Sequence, residues 1–182
     1  MSQSAEPVAN TSHGARQIYR VVIEADIHDV WERLTRQGEP LPFFFGSVLH
    51  TTGLAPGAPI RMRTPNGKFT GVVGEVLEID PPHRYSHTFK FTALDDPPCT
   101  VIYELKEIEG GTEFTLITEN VPVGTKTESY MAQGGDFITR TLKGLLETGR
   151  PPLKSRMILT MCHLTEWMNP AKSRSEHWPL DQ

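Results

Sequence analysis

With 182 residues, 18 basic against 22 acidic side chains and a net charge of −4, the chain is long enough for one domain with a sizeable core and an extension, and short for two. A pI near 6.0 and the lack of a basic stripe exclude nucleic acid as a partner. No apolar run approaches the roughly 18 residues that span a bilayer, so no membrane partner is expected.

Residues 1–15 are rich in Ser, Asn and Gly and are expected to be disordered. Their polar start lacks the apolar core of a secretory signal. Cys99 and Cys162 lie far apart without metal-type spacing. A cytoplasmic protein with no disulfide, metal or cofactor is the expectation. Tyr19, Val21 and Ile23 then alternate with Arg20 and Glu24 as in a half-buried strand. Asp26 is placed to cap a helix that carries Val30, Trp31 and Leu34 on one face and ends by Gly38. Pro40 and Pro42 punctuate an apolar cluster at 41–45, which reads as a short second helix or a bend.

A meander follows. Ile60, Met62 and Thr64 alternate with Arg61 and Arg63, and Pro65-Asn66-Gly67-Lys68 marks a tight hairpin. Residues 69–79 return as a long strand whose interior Gly71 and Gly74 suggest bulges or sharp curvature. Residues 84–91 alternate cleanly, with Tyr85, His87, Phe89 and Phe91 on one face. Val101, Tyr103 and Leu105 repeat that pattern, Gly110-Gly111 turns the chain, and Phe114, Leu116 and Thr118 belong to the last strand. Short turns between these strands make the sheet antiparallel.

The longest helix opens on Thr125-Lys-Thr-Glu128, a capping box, and carries Met131, Ile138, Leu142 and Leu145 at helical spacing. Gly149 and Pro151-Pro152 end it. Inside it lie Gly134 and Gly135, each costing about 1 kcal/mol relative to alanine. Such a pair calls for empty space or for close approach of a neighbour. Beyond it, Ser155 is placed to cap one more helix carrying Met157, Ile158, Met161, Cys162, Leu164, Thr165 and Met168, with Trp167 beside them. That apolar band is too broad for a freely solvated helix. It is expected to dock on its own domain, over a cavity mouth or in a homodimer, and docking with a dimer contact is favoured.

Several pieces resemble the START-like (SRPBCC) superfamily, in the branch of the activator of heat-shock protein 90 ATPase homologues. They are Ile23-Glu-Ala25 with Val30-Trp31-Glu-Arg-Leu34-Thr35, then Gly71-Val-Val-Gly-Glu-Val-Leu-Glu-Ile-Asp-Pro81-Pro82-His-Arg-Tyr85, Gly110-Gly111-Thr112, and Leu142-Lys-Gly-Leu-Leu-Glu-Thr-Gly149. The resemblance implies an α+β helix-grip fold, a curved antiparallel sheet wrapped around the long helix. It divides the chain into a tail at 1–15, a helix-grip domain at 16–150 and an extension with one helix at 151–182. Relatives commonly place Gly-Trp where this chain has Gly134-Gly135-Asp136-Phe137, and a proline where it has Asp26.

The resemblance turns the inward strand face into a cavity wall. Met62, Tyr85, His87, Phe89, Tyr103, Phe114, Gly134, Gly135, Phe137 and Ile138 are the candidate ligand-binding residues. Each apolar member is equally consistent with ordinary core packing. His87, an imidazole on an otherwise aromatic face, is the candidate for orienting a ligand or acting as a base; bonding Tyr103 or a backbone carbonyl is its structural alternative. Glu75 would be its acid partner only if its face were inward, and is expected in water. Arg61 and Arg63 are expected on a solvated outer face. Cys162, His163 and Glu166 on one short segment read as helix packing rather than a metal site.

Three functions fit. Binding of a small hydrophobic or aromatic molecule in the cavity leads. An enzyme of the polyketide cyclase or hydrolase type using His87 is the alternative. A stress-associated, co-chaperone-like module, which the branch name implies, comes third, since no separate chaperone-docking domain is expected ahead of the resemblance.

Overall fold

The computed structural model describes residues 14–180. Tail residues 1–13, expected to be disordered, lie outside the described residues, whereas Ala15 already pairs in the first strand. The strands are β1 (Ala15–Ile23), β2 (Pro40–Leu41), β3 (Ser47–Thr51), β4 (Pro59–Arg63), β5 (Thr70–Asp80), β6 (Arg84–Phe91), β7 (Cys99–Ile108) and β8 (Gly111–Val121). They form one eight-stranded antiparallel sheet in the order β1-β8-β7-β6-β5-β4-β3-β2. The helices are α1 (Ile27–Thr35), α2 (Lys126–Thr148) and α3 (Leu153–Leu164), with a 3-10 turn at Pro42–Phe44. The sheet curls around α2 as the helix-grip expectation requires.

Local chemistry places the ends of these elements. The Asp26 carboxylate accepts the His28 amide at 2.8 Å and starts α1, whose Ile27, Val30 and Leu34 are buried. Thr125 accepts the Glu128 amide at 3.3 Å, while Glu128 reaches past the cap to the Gly124 amide at 2.7 Å. The capping box is therefore displaced by one residue on its carboxylate side. The meander is longer than its sequence suggests, because β2 and β3 extend it beyond β4. The core lies between sheet, α1 and α2, with Ile23, Val30, Phe43, Phe114 and Leu142 wholly buried.

Gly74 is required by close approach. A methyl there would overlap the Thr88 carbonyl of β6. Around it β5 pairs Val73 with Lys90 and Val76 with His87, and the Glu75 amide bonds the Thr88 hydroxyl at 2.9 Å. The Thr88 carbonyl is thereby free to serve the His87 ring. Glu75 itself is exposed, as expected.

Two expectations for the outer surface need correction. Ser155 does not cap α3, which begins at Leu153; its hydroxyl is buried against Thr141 Oγ1 at 2.7 Å, tying α3 to α2. Nor is the Arg61–Arg63 face open to water. The chain after α3 crosses it, bridging Phe69 with Arg174 and setting Ser173 on Thr92 at 2.8 Å. Arg61 Nε donates to the Pro179 carbonyl at 3.2 Å, and Arg63 Nη2 to the Trp178 carbonyl at 3.2 Å. Long arginine stems beside an apolar strand are cheap to cover when their nitrogens find carbonyls, although Arg63 Nε is buried with no hydrogen-bond partner among the described residues.

Candidate functional site

Between the concave sheet face and α2 lies a cavity of about 270 Å³. That volume is several times the roughly 30 Å³ share of one water, and exceeds the ~150 Å³ apolar cavity that admits benzene. β6 contributes Tyr85, His87 and Phe89 to its wall, β4 contributes Met62, and β7 contributes Tyr103. α2 contributes Gly134, Gly135 and Ile138.

Two candidates from the sequence lie elsewhere. Phe114 is wholly buried in the core and stacks under Tyr103 with ring centroids 6.2 Å apart. Phe137 is turned to the side of α2 and stacks on Phe45 at 4.1 Å. In their place the structure brings Phe44, Phe45, Tyr130 and Thr118 to the cavity. The aromatic run at 43–45 ahead of Gly46 was the visible signal for the first two. Thr118 was visible as the third inward position of its strand.

Among the described residues no Asp, Glu, Lys or Arg lines the cavity. Its polarity comes from a few neutral groups. His87 Nδ1 lies 2.7 Å from the Thr88 carbonyl, which only accepts, so Nδ1 carries the proton and donates. Nε2 is then the acceptor, with the Tyr103 hydroxyl donating to it across 3.4 Å. Burial lowers the imidazole to about 4, against a smaller upward pull from the Thr88 bond. Burial likewise raises the Tyr85 phenol, and raises Tyr103 well above its ordinary value with Tyr85 adding to the effect. Near neutrality all three side chains are uncharged.

Thr118 stands two strands from His87 in one cross-sheet row, since His87 pairs with Val101 and Val101 with Thr118. Its Oγ1 is buried without a hydrogen-bond partner among the described residues. A buried orphan hydroxyl costs about 1–3 kcal/mol. Thr118→Val, nearly the same shape, is therefore expected to leave the unliganded protein as stable or slightly more stable in urea unfolding. If the hydroxyl contacts a ligand, the same variant weakens that ligand about fivefold.

None of the described residues of the extension, 151–180, lines this cavity. Phe45 and Tyr130, 39% and 49% exposed, form its rim.

The model of the Activator of Hsp90 ATPase homolog 1-like protein family matches residues 14–147. The chain belongs to that family. No curated protein matches it in sequence. Among solved structures, it is similar to DynU16, described as a protein of the dynemicin biosynthetic locus, at 26% identity and TM-score 0.57. That match covers 75% of this chain and 48% of DynU16. The Aha1 dimer of Colwellia psychrerythraea matches at 17% identity and TM-score 0.61, over 74% of this chain and 98% of that one. CalU16 of Micromonospora echinospora matches at 18% identity and TM-score 0.57, over 84% and 86% respectively. The likeness to the last two is one of fold.

Proposed function

We propose that the protein binds a small, neutral, largely aromatic molecule in the cavity between sheet and α2. One observation carries this reading: a 270 Å³ apolar hollow with no charged side chain in its wall and a neutral donor–acceptor set on one side. A carboxylate or ammonium entering it would lose water without finding a counter-charge, at a cost of several kcal/mol. A ring bearing one hydroxyl or carbonyl would fill the volume and meet His87 Nε2, the Tyr103 hydroxyl or Thr118 Oγ1.

Native mass spectrometry of freshly purified protein tests the reading, together with titration of 2-naphthol and 2-naphthoate. A recurrent adduct, or tight binding of the naphthol with no binding of the carboxylate, is expected. An unadducted protein that takes up neither compound refutes it.

The cyclase or hydrolase alternative asks more of His87. A general base works best with a pKa near the operating pH, whereas this imidazole sits near 4 and has no carboxylate partner in the cavity. Nothing observed favours the co-chaperone reading over it. The Colwellia relative is a dimer, which fits self-association of this chain and does not tie it to the extension at 151–182. The charges on that extension favour a different occupant, argued next.

A further inference from the structure

α3 leaves most of its apolar surface uncovered. It touches the domain through Ser155 on Thr141 and through Leu159, near Gly46. Leu153, Met157, Met161 and Leu164 fall on the opposite side within one stripe, continued by Trp167 and Met168. These six side chains are 63–78% exposed. At 3.6 residues per turn, Lys154 borders the stripe on one side and Arg156 on the other. α3 contains no Asp or Glu. Residues 150–180 hold five basic and two acidic side chains, in a chain whose net charge is −4. Lys172 is paired with Asp95 and Arg174 lies beside Glu176, whereas Lys154 and Arg156 make no ion pair among the described residues.

We propose that this face of α3 docks in the plane of an anionic lipid surface. An apolar stripe bordered by lysine and arginine, with a tryptophan at one end, is the pattern of a helix lying in the headgroup region. The stems of Lys154 and Arg156 run along the apolar boundary while their charges reach the phosphates. A second copy fits less well. An isologous contact would set Lys154, Arg156 and His163 against themselves with no acid on α3 to answer them. The expectation of no membrane partner rested on the lack of a spanning segment. Among the described residues no helix is long and apolar enough to cross a membrane, and an in-plane helix needs none.

Co-sedimentation of the full chain with two vesicle types tests the proposal. One is phosphatidylcholine alone; the other adds phosphatidylglycerol at one part in four. Binding to the mixed vesicles, at least about tenfold tighter than to phosphatidylcholine and lost in high salt, is expected. Lys154→Gln and Arg156→Gln should each weaken it about fivefold. The pair Met161→Ser and Trp167→Ser should weaken it at least about tenfold, with thermal unfolding unchanged because both sites are solvent-facing. Equal affinity for the two vesicle types, no binding to either, or wild-type binding by the charge variants overturns the proposal. A dimer mass in light scattering that Trp167→Ser reduces to monomer, without vesicle binding, overturns it in favour of a second copy. Because the readout is lipid binding, the result does not depend on whether the cavity holds a ligand.

Discussion

Gly135→Trp will destabilise the protein by roughly 3 kcal/mol or more, and will not act as a cavity filler. Tyr19 of β1 packs its ring against Gly135, so a Cβ built there would overlap the ring carbons Cε2, Cδ2 and Cζ. The Tyr19 hydroxyl fixes that position by donating to the Ala132 carbonyl of α2 at 3.0 Å. Any side chain at 135 must evict the ring, losing its packing and the hydrogen bond together. Gly134 behaves oppositely. A Cβ there meets only Phe45 Cε2 at 3.9 Å, an ordinary contact. Gly134→Ala should therefore recover helix propensity and stabilise by up to about 1 kcal/mol. Urea unfolding of both variants checks the pair. Two changes of the same sign would show that the adjacent glycines do one job rather than two.

These glycines also mark how far the sequence alone is legible. The cost of the pair was legible, and so was the choice between empty space and close approach. Which glycine serves which purpose was not, because that depends on where β1 crosses α2. The same limit explains the candidate residues. Alternation with period two assigns Tyr85, His87, Phe89, Tyr103 and Phe114 to one face, yet says nothing of height along the strand. The cavity lies toward Thr118, so Leu116 and Thr118 reach it while Phe114 sits in the packed core. β3 was missed because Ser47–Thr51 is short and follows an aromatic cluster that ends in Gly46. Its pairing with β4, not its own propensity, makes it a strand. The tail over Arg61 and Arg63 was illegible for a related reason. Its bonds run from side chains of β4 to backbone carbonyls more than a hundred residues away.

The stability of the protein will fall on acidification between about pH 6.5 and 4, and His87 will account for on the order of 3 kcal/mol of that fall. In the unfolded chain this imidazole takes a proton near 6.5; in the folded one, buried against Tyr85 and Tyr103, it does so only near 4. Throughout the interval the unfolded state binds more protons, so lowering the pH draws the equilibrium toward it. The contribution is complete above pH 6.5 and gone once the folded imidazole protonates. His87→Phe provides the reference. At pH 7 it should cost about 1–2 kcal/mol, since the Thr88 carbonyl loses its donor. Near pH 4.5 the variant should equal or exceed the wild type, because it has no buried imidazole to protonate. Carboxylates titrate alike in both proteins, so the difference between their stability curves isolates His87. Curves that stay parallel from pH 7 to 4.5 would place the imidazole near its ordinary value, and with it a base suited to catalysis at neutral pH. Curves that cross would leave His87 as a neutral acceptor, the role a binding cavity needs and an acid–base enzyme does not.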